Sequence, residues 1–248
     1  MRSRLRGGRA SRIRSATKRV RFISAGLCDR APIMAWARAS YSRVDDVIAA
    51  VILAAGESRR MGSPKPLLRL GDTTFLERLV GQFLASRARP VVVVLGHEAE
   101  RIRSQVCLDD ALVVVNPDYR QGMLSSIRVG LQALEGEPVA GVLICPADLP
   151  DISTAVVDLV IGQWEKTRAP IVVPVCTGRR GHPVLFARAL FEELLKAPNS
   201  VGARQVMWDH AAEVTEVPTE ERGIIMDIDT PEEFEDLSRR KKRGTHSS

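Results

Sequence analysis

Gly56 and Gly62 stand with five residues between them, among them Ser58, Arg59 and Arg60, and Lys65 follows just past Pro64. Such a loop suits phosphate. Glycine lets a backbone bend tightly and approach a ligand, and successive peptide N–H groups can turn toward phosphate oxygens. The guanidinium of Arg60 and the ammonium of Lys65 match the charge that builds on a triphosphate during transfer, where catalysis is positioning and electrostatics. Ser58 adds a hydroxyl donor. The spacing excludes two familiar cradles: a P-loop keeps four residues between its glycines before Lys and Ser or Thr, and no GxGxxG is present. Standing alone, the same residues would also serve as a solvated surface turn.

A triphosphate attacked at its α-phosphate calls for a divalent cation. Mg²⁺ takes one or two carboxylates and completes its octahedron with water and phosphate oxygens. Asp148 follows the apolar run "GVLICP" directly, and Ser153 is better placed than it to cap the next helix. In "MDID", extended backbone puts Asp227 and Asp229 on one side and Met226 and Ile228 on the other. Asp229 also suits the turn before Thr230, which makes Asp227 the stronger second metal ligand. No cluster of His or Cys competes. Gln121, Ser125 and Ser126 offer amide and hydroxyl groups to a base or ribose, or else form a helix N-terminus. His97 reads as a loop residue at a strand end, and Trp164 and Trp208 read as packing residues.

The elements that must position these groups come from alternation. β-Branched runs at 47–54, 90–96, 111–116, 141–146 and 171–175 alternate with amphipathic stretches, the mark of βαβ units. Near-continuous apolarity predicts strands covered on both faces. The fold class is therefore α/β: a Rossmann-like, mainly parallel sheet with helices on both faces, in three α/β/α layers. Thr74 with Glu77 forms a capping-box spacing, and Thr230, Pro231 and Glu233 open a last helix. Residues 176–222 break the alternation, and "TGRRGHPVLF" predicts a turn into an antiparallel or edge strand lying over the mouth of the sheet. Ligands in such sheets bind at the carboxyl ends of the strands.

The net charge of +6 invites a nucleic-acid reading, but it is unevenly spread. Residues 1–43 hold twelve of the 36 Lys and Arg and one of the 30 acids, leaving 24 bases against 29 acids in the rest. The body is thus mildly acidic, whereas a nucleic-acid footprint should lie on the fold itself. The expected organisation is a basic, disordered N-terminal extension over 1–45, transit-like or preceding a later start, one domain over 46–238, and a basic tail over 239–248. Four cysteines without a CxxC pair suggest neither zinc nor a disulfide framework. No apolar run reaches the ~20 residues of a membrane span, so a cytoplasmic location is expected, with no membrane partner.

L-A-A-G-x-S-x-R-M-G-x-P-K, present as Leu53 to Lys65, resembles the signature of the MobA-like nucleotidyltransferases, most closely the branch that cytidylylates the molybdenum cofactor. "NPDYRQGMLSSIRVGL", "GVLICPADLP", "RRGHPVLF", "GAR" and "DIDTPEEF" are similar to later motifs of that family, in the same order over about residues 46–238. The resemblance implies a fold of the nucleotide-diphospho-sugar transferase type. It implies Leu53, Ala54, Ala55, Gly56, Ser58, Gly62, Lys65, Gln121 and Ser125 at the nucleotide, with Arg60, Lys65 and Asp148 catalytic. It places Arg180, Gly181 and His182 on the acceptor side, and Asp148 and Asp227 on Mg²⁺. Its substrates would be CTP and molybdopterin, and its downstream partner a molybdenum hydroxylase apoenzyme or that enzyme's chaperone. "LAAG" in place of "LAGG" favours cytidine over guanosine. "PNSVGAR" lacks the Gly-Asp that usually precedes Gly-Ala-Arg in the family, which leaves the acceptor less defined than the reaction. The alternatives are a guanylyl- or sugar-phosphate nucleotidyltransferase and a non-catalytic cofactor-maturation factor.

Overall fold

A computed structural model describes residues 46–244. The extension over 1–45 and residues 245–248 lie outside the described residues. In chain order the first half runs β1 (Ile48–Ala54), β2 (Arg69–Leu70), β3 (Thr73–Thr74), α1 (Phe75–Ala85), β4 (Val91–Leu95), α2 (Ala99–Gln105), β5 (Leu112–Val115), α3 (Met123–Ala133) and β6 (Gly141–Pro146). It continues α4 (Thr154–Thr167), β7 (Ile171–Cys176), β8 (Arg179–Arg180), β9 (Val184–Ala187), α5 (Phe191–Lys196), α6 (Arg204–Asp209), β10 (Val214–Pro218) and α7 (Pro231–Gly244).

All seven residues of β1 are buried because each face of the strand meets helices. Ile48, Ala50, Ile52 and Ala54 join one apolar cluster with α1, α2 and α4, while Ala49, Val51 and Leu53 join another with α3, α5 and α6. Strand geometry alternates side chains between faces, so a strand buried on both needs an unbroken apolar run. Phe83 on α1 is fully buried; truncating such a ring to alanine costs about 3–5 kcal/mol. The capping box at Thr74 is formed: Glu77 N–H donates to Thr74 Oγ1 at 3.2 Å and Thr74 N–H donates to Glu77 Oε2 at 2.8 Å.

The spatial strand order is β10-β7-β9-β6-β1-β4-β5, with β8 joined to β7. β1 pairs in parallel with β4 on one side and β6 on the other. The chain proceeds from β1 outward through β4 to β5, then returns to place β6 across β1, so the order reverses between β1 and β6. This is where an open α/β sheet forms its ligand crevice.

Two expectations are corrected. β9 is antiparallel, one of the two forms anticipated, yet it lies inside the sheet between β6 and β7 rather than over the sheet's mouth. Leu185 and Phe186 are buried there, and an edge position would leave them half solvated. α7 continues to Gly244, so helix reaches six residues into the stretch read as a tail. Cations near a helix C-terminus are favoured by its dipole.

Candidate active site

A cleft of about 290 Å³ opens at the carboxyl ends of β1 and β6. Leu53, Ala54, Ala55 and Gly56 form one wall and Pro146, Ala147 and Asp148 another. Ser58 and Lys65 extend the first of these, and Tyr119, Gly122, Met123 and Ser126, from the turn after β5 and the start of α3, line the wall facing it.

The loop after β1 owes its shape to two left-handed residues, Ser58 at φ 51° and Gly62 at φ 66°. Gly56 is not left-handed, and the space where a Cβ would sit is open, so its value is clearance in the cleft rather than a turn. The Ser58 hydroxyl accepts from the Lys65 backbone N–H at 3.0 Å. That bond folds the loop so that Lys65 points back under it.

Four charged groups meet below the loop. Lys65 Nζ donates to Asp229 Oδ1 and lies 3.5 Å from Asp148 Oδ2. Arg60 Nη1 is 2.7 Å from Asp229 Oδ2. The carboxylates are brought together by backbone: Ile228 N–H donates to the Asp148 carbonyl at 3.0 Å, with the Ile228 side chain buried. Glu233 accepts from the N–H groups of Asp229 and Thr230, at 2.7 and 2.9 Å. The alternation read from "MDID" therefore leads to the cleft, but Asp229, not Asp227, engages both cations. Asp227 is exposed, and its charge bears on Asp148 and His182.

Burial pushes the Asp148 carboxyl above the ordinary aspartate range, with Lys65 opposing and Asp227 and Asp229 adding to the rise. The hydrogen bond from Lys65 holds Asp229 below that range against a smaller desolvation effect. The site thus presents two carboxylates sharing one ammonium. Among the described residues no group of three or more His, Cys, Asp or Glu is gathered closely enough to hold a metal ion by protein ligands alone. A hard divalent ion that also draws on phosphate and water fits this donor set.

Other expected residues divide. Ser126 lines the cleft, whereas Ser125 is a structural hydroxyl. Asn116, buried, donates to Ser125 at 2.8 Å and Ser126 at 2.9 Å, and Ser125 donates to the Gly122 carbonyl. Gln121 lies outside the cleft lining and accepts from Asn199 at 3.3 Å. Arg180 pairs with Glu216 at 2.7 Å across the sheet surface. Gly181 is required by packing, since a Cβ there would stand 2.4 Å from the Ile224 carbonyl. His182 N–H donates to that same carbonyl, and its Nδ1 lies 3.4 Å from the Ile144 carbonyl; burial lowers its proton affinity. Gly181 and His182 therefore brace the segment that delivers Asp227 and Asp229. His97 is more than a loop end, because its Nδ1 meets the Tyr119 hydroxyl at 3.2 Å. Trp164 is buried as expected, but Trp208 is 64% exposed, with Val206 taking the buried position on the short α6. Tyr119 and Met123 were not anticipated; their signal was their position at the exit of the third long strand.

The model of the MobA-like NTP transferase domain matches residues 50–214. The chain belongs to this family. It is a nucleotidyltransferase by that membership, with a Rossmann-like sheet to match. It is 29% identical over 187 residues to the molybdenum cofactor cytidylyltransferase of Escherichia coli, covering 74% of this chain and 92% of that one. A probable molybdenum cofactor guanylyltransferase of Bacillus cytotoxicus is 31% identical over 141 residues, 56% of this chain and 67% of its own. A crystal structure of Rv0371C from Mycobacterium tuberculosis in complex with manganese superposes with a TM-score of 0.66 at 27% identity, over 78% of this chain and 98% of that one. No helix among the described residues is long and apolar enough to cross a membrane.

Proposed function

We propose that this nucleotidyltransferase transfers CMP from CTP to the terminal phosphate of molybdopterin, with magnesium as its metal. The supporting observation is the cleft at the β1–β6 crossover, where Lys65 lies between Asp148 and Asp229. The acceptor's phosphate oxygen forms a new bond to the α-phosphorus, and the bond from that phosphorus to the bridging oxygen breaks, releasing pyrophosphate. A phosphate monoester is already largely ionised at neutral pH, so no residue need take a proton from it.

Arg60 and Lys65 hold the triphosphate oxygens and meet the charge that grows on them. Asp148 and Asp229 would hold the magnesium ion, with Asp227 beside them. Bound there, the metal supplies positive charge against the phosphoryl oxygens and the departing pyrophosphate. Ala54, Ala55, Gly56 and Ser126 line the nucleotide's seat, and the methyl of Ala55 narrows it toward a pyrimidine. His182, neutral and close to Asp148, faces the acceptor side.

The cytidylyltransferase relative favours CTP; the guanylyltransferase relative favours GTP as the second reading. Pyrophosphate release, measured with purified molybdopterin and each of the four common nucleoside triphosphates with and without magnesium, decides between them. Release with CTP alone is the expected result. Release with GTP alone supports the second reading, and no release under any condition overturns molybdopterin as the acceptor.

A further inference from the structure

Glu57 stands in the phosphate loop, yet nothing in the chemistry above uses it. Its two carboxylate oxygens are each taken by a guanidinium: Oε2 by Arg59 Nε at 2.5 Å and Oε1 by Arg120 Nε at 3.2 Å. Arg59 is its neighbour across the left-handed turn at Ser58. Arg120 belongs to the opposite wall, in the turn between β5 and α3. The Glu57 side chain is 19% exposed while both arginines are largely in solvent, so one mostly covered carboxylate gathers two cations beside the cleft, next in sequence to its lining residues Gly56, Ser58 and Tyr119.

The contact is placed to act on the cleft from both ends. On one side the loop residue after Glu57 is Ser58, whose hydroxyl accepts the Lys65 N–H. On the other side the residue before Arg120 is Tyr119, which lines the cleft with Arg120 5.7 Å from its ring and His97 on its hydroxyl. Closeness there is built in: a Cβ on Gly96 would stand 2.8 Å from both Ala55 and Tyr119. The two walls are thus seated against each other at the back and tied by Glu57 and Arg120 at the front. Arg59 first, then Arg120, lowers the Glu57 carboxyl below the ordinary glutamate range, so the tie is ionic at neutral pH.

We infer that Glu57 and Arg120 form a latch across the mouth of the nucleotide cleft, and that Glu57 is a positioning residue which sets nucleotide affinity by holding the phosphate loop against the Tyr119 turn. This rests on the nucleotide-binding reading of the same cleft. Glu57 does not touch the phosphates in this scheme; its carboxylate would repel them if it did. Its effect passes through Ser58 to Lys65 and through Arg120 to Tyr119.

The test is a double-mutant cycle on nucleotide affinity, with CTP and magnesium titrated calorimetrically into wild type, Glu57→Gln, Arg120→Gln and the double variant. Each single change is expected to weaken binding about two- to fivefold, the range of an exposed ion pair. The double variant should be no weaker than Glu57→Gln alone, because that change already removes the Glu57–Arg120 pair along with the pair to Arg59. Arg120→Lys, which keeps the charge, should recover most of the loss, and the difference between wild type and Glu57→Gln should shrink in high salt. Melting temperatures close to wild type in all four separate the latch from a folding defect. Additive losses, or tighter binding in Glu57→Gln, overturn the latch while leaving nucleotide binding intact. A wild type that binds no nucleotide overturns the underlying reading as well.

Discussion

Replacing Lys65 by methionine keeps most of the apolar stem of the side chain and removes its charged, hydrogen-bonding end. The Lys65 side chain is 13% exposed, and its ammonium serves Asp229 and Asp148, whose side chains are 25% and 30% exposed. At the 3.5 Å separation from Asp148, a unit pair in an effective dielectric near 20 attracts by about 5 kcal/mol before desolvation is counted. Fully exposed pairs net about 0.2–1 kcal/mol and a broken buried pair costs about 3–5 kcal/mol, so a site of this intermediate exposure should lose about 2 kcal/mol. For a domain of this size that lowers the melting temperature by about 4–8 °C. The deletion leaves Asp148, Asp227 and Asp229 with only Arg60 among the cations named here to offset them. Millimolar magnesium should then stabilise the variant more than it stabilises wild type, since the carboxylates no longer share their oxygens with an ammonium. Turnover should fall at least about a hundredfold, as for other lost charge-stabilising contacts. Thermal unfolding followed by circular dichroism, with magnesium or with chelator, reads both effects. An unchanged melting temperature in chelator, or a magnesium shift no larger than wild type's, would refute the idea that Lys65 compensates a metal-binding pair.

Asp148→Asn keeps shape and hydrogen bonding but removes a charge, and pyrophosphate release should drop at least about a hundredfold with an unchanged far-ultraviolet spectrum. Asn116→Ala breaks three bonds, to Ser125, Ser126 and the Asp118 N–H at 2.9 Å; urea unfolding should show a loss of about 3 kcal/mol. His210 lies between Glu213 at 2.8 Å and Glu193 at 2.9 Å, which raise its proton affinity above the usual 6.5, Glu213 most. A raised histidine stabilises fully below its unfolded value and loses that contribution as pH rises through its folded value. Thermal melts of His210→Gln should therefore fall short of wild type at acid pH and converge with it in alkali.

Much of this protein is legible in local pattern, because strand and helix periods are properties of neighbouring residues. β10 escapes such a reading, whereas strands β1, β4, β5, β6 and β7, the Thr74 and Thr230 caps and the family motifs all lie in contiguous stretches of sequence. So does the loop that carries Arg60 and Lys65. What the chain alone could not decide is which side chains meet across it. Asp227 and Asp229 share a face by alternation, and only the Ile228 bond to Asp148, with the path of Lys65 beneath its loop, turns Asp229 rather than Asp227 toward the cations. Ser125 and Ser126 are adjacent in sequence and both accept from the buried Asn116, but Ser125 also donates to the Asp118 and Gly122 carbonyls and so braces the turn, while Ser126 borders the cleft. β9 read as an antiparallel or edge strand because its partners are remote in sequence; its place between β6 and β7 follows from apolar surface that only a central position covers. Periodicity sets the elements, while pairings between distant charges and between distant strands are settled by the burial that packing imposes.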